Sequence, residues 1–254
     1  MKRHLLLALL SSAALLGNLA WTASDREDAT DRLNKSAEVL KDVAAAPGKG
    51  IPDEVVEHAK CIVVVPDLMK AGLVLGGKYG RGVAVCRTDA TAKSAHSAAP
   101  GWSAPAFVMI GGASWGLQIG AEGIDLVMVV MNDNGLQQLL TSKVEFSLEG
   151  SAAAGPVGRH AAVGSDSTLN SEILTYSRTK GVFAGQTLEG AVIKQDDDST
   201  KAIYGSDQSF NQILTGKVAA PAPAASFLRA VAEISREARQ QQARQQVPTD
   251  RNNK

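Results

Sequence analysis

Gly112-Ala113-Ser114-Trp115-Gly116 has the G-x-S-x-G spacing of a nucleophile elbow. In that motif a strained strand-to-helix turn presents a serine Oγ for attack on an acyl carbon. Asp125 or Asp133, then His160, come after it in the serine, acid, histidine order of α/β-hydrolases. The elbow needs a helix directly after the serine. Gly116 to Met131 is instead β-branched and punctuated by glycine, with no helical period, so a tight Gly-rich β-turn competes with the hydrolase and is favoured. Gly72 with Gly77-Lys78 fits the start of a P-loop, but Tyr79 stands where a Ser or Thr hydroxyl should reach Mg²⁺. His4, His58, His96 and His160 have no ligand-spaced neighbours, so neither a metal nor a cofactor is expected. Asp196-Asp197-Asp198 lacks the spacing of a calcium loop and reads as a solvated acidic turn.

Basic side chains recur beside the glycines, at Lys70, Lys78, Arg81, Arg87, Arg159, Arg178 and Lys180. Brought together by a sheet, they and nearby backbone amides could hold an anionic head group; scattered, they are ordinary surface charge. The chain as a whole is balanced, with 26 Lys and Arg against 26 Asp and Glu, which argues against a nucleic-acid binder.

Periodicity identifies the elements that would position these residues. Ala29, Leu33, Ala37, Leu40 and Ala44 give a helical stripe over Ser24 to Ala46, which Pro47, Gly48 and Gly50 end. A short helix is expected over Asp53 to Lys60. Cys61 to Val65 reads as a strand closed by Pro66, and Gly72 to Arg87 as a twisted hairpin. Ala106 to Ile110, Gly116 to Gly120, Ile124 to Met131, Lys143 to Leu148, Ile173 to Arg178 and Val182 to Ile193 are further strands. Asn132 to Ser142, Thr200 to Tyr204 and Asp207 to Leu214 carry helical signals. Phe227, Val231, Ile234 and Ala238 mark a last amphipathic helix before a Gln/Arg-rich tail. The order predicts an α+β fold: a Gly-rich, mainly antiparallel sheet, open or barrel-like, with N-terminal and C-terminal helices packed on it.

The first residues predict where the chain works. Lys2, Arg3 and His4 precede an apolar run from Leu5 to Leu16, and the small residues Gly17, Ala20 and Ala23 come next. This is the three-part pattern of a secretory signal of bacterial type, cleaved after Ala23 or Ala20, and the run is too short for a membrane span of about 20 residues. An uncleaved anchor is the alternative. In an exported chain, Cys61 and Cys86 are expected to form a disulfide, closing a loop of about 26 residues and contributing about 3–3.5 kcal/mol; two buried free thiols are the alternative.

Seven ordered blocks resemble the SYLF domain family. They are Ala59 to Pro66, Gly76-Gly77-Lys78-Tyr79-Gly80-Arg81-Gly82, Gly101-Trp102-Ser103-Ala104-Pro105, Gly111 to Gly120, Ala153 to Arg159, Tyr176 to Gly185, and Leu188-Glu189-Gly190-Ala191. The resemblance runs from about Ser24 to Thr215. It implies a lipid-binding domain, with phosphoinositides as ligands in eukaryotic members, which are actin-associated. On that basis Lys70, Lys78, Arg81, Arg159, Arg178 and Lys180 are the candidate lipid contacts, and the two enzyme motifs become family turn sequences. Some members hold the membrane with a basic amphipathic N-terminal helix. Here Arg26, Arg32, Lys35 and Lys41 are outnumbered by Asp25, Glu27, Asp28, Asp31, Glu38 and Asp42, so that helix is expected to pack on the domain instead. The helix carrying Arg229, Arg236, Arg239 and Arg244 is the better membrane candidate, with core packing the favoured role even there.

The sequence thus predicts residues 1–23 as signal, 24–216 as a SYLF-like lipid-binding domain, 217–225 as an Ala/Pro linker, and 226–254 as an amphipathic helix and tail. The expected function is non-enzymatic binding of anionic lipid in the periplasm or cell envelope, without actin as partner. An envelope protein-interaction module and a serine hydrolase using Ser114 are the competing readings.

Overall fold

Cys61 to Val65 and Leu126 to Val130 are unbroken apolar runs, which a strand shows when both of its faces are covered. Both become central strands. The computed structural model describes residues 2–46, 50–72, 75–88, 99–115, 120–141, 143–145, 152–155, 172–179, 182–184 and 190–245. Its elements are α1 (Lys2–Ala45), α2 (Asp53–His58), β1 (Cys61–Gly72), β2 (Leu75–Cys86), β3 (Ala106–Trp115), β4 (Gly120–Val130), α3 (Asp133–Leu140), β5 (Lys143–Glu145), β6 (Ala152–Ala154), β7 (Ile173–Thr179), β8 (Val182–Ala184), β9 (Ala191–Gln195), α4 (Asp197–Tyr204), α5 (Phe210–Leu214) and α6 (Ala225–Gln245).

All nine strands join one sheet in the order β5-β9-β3-β2-β1-β4-β7-β6, with β8 also on β7. Every pairing is antiparallel except β6 on β7. This is the expected α+β arrangement. The barrel-like option is corrected: β5 and β6 are the two ends, and among the described residues no pairing joins them, so the sheet stays open.

Strand alternation sends two sets of side chains to two cores. Ile62, Val64, Val83, Val85, Phe107, Val127, Val129 and Leu174 pack under α1, α2 and α6. Cys61, Val63, Ala84, Val108, Ile110, Leu126 and Met128 pack with Leu139 of α3 and with Phe210, Ile213 and Leu214 of α5. Cys61 and Cys86 face each other across β1 and β2, their Cα atoms 4.0 Å apart, and form the disulfide in the second core.

Four expectations change. α1 runs unbroken through Ser24, because the Leu/Ala-rich run 5–16 is strongly helix-forming and no proline occurs between it and Ala45. β1 continues past Pro66 to Gly72, with a register shift between Val65 and Leu68 that absorbs the proline. Gly80 and Gly82 allow this: a Cβ on Gly80 would meet Val65 and Leu68, and one on Gly82 would meet the Val64 carbonyl. The strand expected over Val182 to Ile193 is two strands, β8 on β7 and β9 on β3, with Gly190 at φ +68° just before β9. At the end of the Ala/Pro segment 217–225 Ala224 is buried, and α6 inserts Phe227, Leu228 and Val231 into the first core, so the chain is anchored there. The C-terminal helix is therefore a core helix.

Candidate functional site

β9 ends at Gln195, and the next residue, Asp196, caps α4 by accepting the Ser199 amide at 3.2 Å. Asp196 is completely buried. The solvated acidic turn expected at Asp196-Asp197-Asp198 is corrected at this residue, because two arginines from distant elements reach it.

Arg32 comes from the buried stripe of α1 and lies over the Phe107 ring at 5.9 Å. Its Nη1 donates to Asp196 Oδ2 at 3.1 Å and to Ser199 Oγ at 2.8 Å. Arg81 comes from β2; its Nε donates to the same Oδ2 and its Nη2 to the same Oγ, both at 2.8 Å. Ser199 Oγ in turn donates to Asp196 Oδ2 at 2.8 Å. Two guanidiniums thus share one carboxylate. Burial and the neighbouring Arg81 depress the Arg32 pKa. Burial pushes the Asp196 carboxyl up, but the bonds from Arg81 and Ser199 outweigh it and hold it below the usual carboxylate range.

A cavity of about 340 Å³ opens beside this cluster. Asp28, Asp31, Arg32 and Lys35 of α1 form one wall; Pro66, Asp67 and Met69 of the β1 bulge and Tyr79, Gly80 and Arg81 of β2 form the other. Asp67 adopts φ +51°, a conformation that Asp tolerates better than most residues, and its amide donates to Asp125 at 3.2 Å. Tyr79 also lines a second cavity of about 430 Å³ with Met109, Ile110, Gly111, Val192 and Lys194. Met69 and Tyr79 are directly opposite each other on β1 and β2, and at 45% and 54% exposure they are the exposed large hydrophobic residues among those described.

Among the described residues, the sequence-derived basic residues are spread over both faces of the sheet. Arg81 is in the site. Lys70 and Lys78 are register partners, placed by alternation on the opposite face from Met69 and Tyr79, and Lys78 is buried. Arg178 on β7 donates to Asp125 Oδ2 at 3.1 and 2.7 Å and to Asp42 Oδ2 of α1 at 2.6 Å. Arg159 and Lys180 lie outside the described residues. Arg87 donates to the Val56, Glu57 and Ala59 carbonyls at the end of α2 and covers Trp102 at 4.6 Å.

Two enzyme motifs lose their geometry. Ser114 lies within β3 opposite Gly76 and the strand continues through Trp115, so the serine sits in extended backbone where an elbow would need the start of a helix. Asp125 is held by Arg178, and His160 lies outside the described residues. Gly77-Lys78 sits in β2, which continues as strand to Cys86 where a P-loop would start its helix. Among the described residues no group of three or more His, Cys, Asp or Glu could hold a metal ion, and no helix is long and apolar enough to cross a membrane.

Reasoning from sequence missed Arg32, Asp196 and Ser199. Their signals are an arginine and a serine, Arg32 and Ser36, on an otherwise apolar helical stripe, and an Asp placed three residues before Ser at a strand-to-helix junction.

Fold and site together define a single-sheet α+β domain with a surface cleft that is ionic on one side and apolar on the other. Residues 111–234 match the family model Ysc84, described as "Las17-binding protein actin regulator". An SH3 domain-containing protein of Schizosaccharomyces pombe is 36% identical over 183 residues, covering 70% of this chain and 40% of that protein. Protein YSC84 of Saccharomyces cerevisiae is 30% identical over 183 residues, 70% of this chain and 37% of its own length. The mouse SH3 domain-containing YSC84-like protein 1 is 28% identical over 200 residues, 75% of this chain and 55% of that protein. The chain belongs to this Ysc84, or SYLF, family. It spans about two fifths to just over half the length of these relatives.

Proposed function

We propose that this chain is a non-enzymatic lipid-binding domain that docks on an anionic membrane surface. The observation that carries the reading is the Met69–Tyr79 pair, exposed side by side beside the partly exposed Arg81. An apolar pair next to a basic group is the combination that inserts shallowly into a head-group layer while a cation meets phosphate. The mature protein is expected to co-sediment with phosphatidylglycerol or cardiolipin vesicles at low salt, and the M69A/Y79A double variant is expected to stay in solution. Absence of co-sedimentation by the unaltered protein would sink the reading.

Export belongs to the same proposal. It is supported by the charged, apolar and small-residue order of residues 1–23 and is in keeping with the buried Cys61–Cys86 disulfide. Protein recovered from the extracytoplasmic fraction should begin at Trp21 or Ser24. Full-length chain confined to the cytoplasm would refute it.

A protein-interaction module is the second reading. The family description names Las17 binding, and the polar cavity carries Asp28, Asp31 and Asp67 as well as its basic groups, a mixed surface that also suits a protein partner. It predicts that charge reversal at Asp28 and Asp31 abolishes partner capture while vesicle binding is unchanged.

A further inference from the structure

The two cavities lie on one face of the sheet, and the strand registers show how they join. One row across the sheet is Met69, Tyr79, Gly111 and Val192. The adjacent row is Arg81, Met109 and Lys194. Gly111 lies between Tyr79 and Val192 and leaves a notch there. That notch is not demanded by backbone packing: a Cβ on Gly111 would approach only the Lys78 carbonyl, at 3.9 Å. Gly112 next to it is different, since a Cβ there would strike the backbone of Gly190 and Ala191. The apolar trough therefore arises from the absence of a side chain where one would fit.

Charge is arranged along the same line. Asp28, Asp31, Arg32 and Lys35 lie on the α1 side of the polar cavity and Asp67 on the bulge side, 3.8 Å from the Lys35 ammonium. Arg81 and Lys194 lie on the strand side, flanking Met109 in register. The buried cluster holds two guanidiniums against the single buried carboxylate of Asp196, with the Asp28 and Asp198 carboxylates close enough to act on Arg32 and Arg81, and Arg81 is the guanidinium that reaches the surface. The trough, at about 430 Å³, is within the range of about 300–1,000 Å³ typical of small-molecule sites.

We propose that this face binds one molecule of a single-chain anionic amphiphile, its hydrocarbon tail in the trough between Tyr79, Gly111 and Val192 and its anionic head between Arg81 and Lys194. The inference rests on the lipid reading above and sharpens it from a membrane surface to one lipid molecule. Burying the tail supplies affinity through the hydrophobic effect, and the two cations orient the head.

The test titrates the full chain by native mass spectrometry and calorimetry with palmitoyl lysophosphatidate below its micelle concentration. Glycerol 3-phosphate serves as the head alone and monopalmitin as the tail alone. One equivalent of lysophosphatidate is expected to bind, monopalmitin more weakly, and glycerol 3-phosphate not at all. Gly111→Leu fills the notch and should lower lysophosphatidate affinity by about tenfold or more, equivalent to about 1.4 kcal/mol. Lys194→Gln, a change at an exposed side chain, should lower lysophosphatidate affinity severalfold and leave monopalmitin unchanged. Circular dichroism checks that both variants keep the fold. Absence of stoichiometric lysophosphatidate binding, or undiminished binding by Gly111→Leu, overturns the proposal. If the unaltered chain co-sediments with vesicles yet binds no lysophosphatidate, the single-molecule site fails and the surface reading stands. If it does neither, both fail.

Discussion

Two arginine clusters tie α1 to the sheet, and they are built with opposite stoichiometry. At Asp196, two guanidiniums from α1 and β2 meet one carboxylate that is wholly out of water. At Arg178, one guanidinium from β7 meets two carboxylates, Asp125 and Asp42, whose side chains keep 18% and 55% of their exposure. The first pairs two cations directly with one buried anion beside a cavity; the second pairs one cation with two anions nearer solvent. Burial decides what each is worth. A carboxylate lost from a buried cluster leaves charge that water cannot reach, whereas solvent and salt screen the exposed cluster. The candidate binding face is found beside the buried cluster, where Arg81 reaches the surface.

Removing the buried anion is the strongest way to break the contrast. Asp196→Asn leaves Arg32 and Arg81 close together without their shared carboxylate and should cost about 3–5 kcal/mol in urea denaturation. Arg178→Gln at the less buried cluster should cost less, about 1 kcal/mol, since Asp42 is 55% exposed and Asp125 keeps partial access to water. If the two variants cost the same, burial is not what separates the clusters.

Acid titration sharpens the comparison next. Asp196 has its folded pKa held below the value of about 3.9 it takes when unfolded. The stability it contributes is therefore present above about pH 4 and is lost as pH falls through its folded pKa. The urea midpoint of the parent should drop below about pH 4, and Asp196→Asn should flatten that limb. The smallest effect is ionic. At about 1 M salt, where the Debye length is about 3 Å, the Arg178→Gln penalty should shrink by a few tenths of a kcal/mol and the Asp196→Asn penalty should not move.

Much of the scaffold was legible because it depends on local pattern. The β-branched runs made β1 and β4 readable as strands, and the spacing of Ala29, Leu33, Ala37 and Leu40 marked the buried stripe of α1. The last helix was legible from Phe227, Val231 and Ile234. Boundaries failed where an element depends on a neighbour. Pro66 reads as a stop, yet β1 passes it because Gly80 and Gly82 let the bulge settle on β2. Gly185 and Gly190 gave no sign that Val182 and Ile193 would pair on opposite sides of β1. Of the proposed basic contacts among the described residues, Arg81 lines the site. Lys70 and Lys78 fell on the other face because alternation moves side chains to opposite sides within one residue.

By itself the sequence determined the α+β class, the apolar stripes, the helix-forming runs and the family, because each is carried by residue type and by spacing within a short stretch. The tertiary structure alone decided that Asp196 is buried rather than solvated and that Arg32 and Arg81, from α1 and β2, share it. It also decided that Tyr79, Gly111 and Val192 line one trough. These pairings join residues as far apart in the chain as 164 positions, and no local period records which strand lies beside which. They exist only once β9 has paired with β3 and α1 has closed over the sheet.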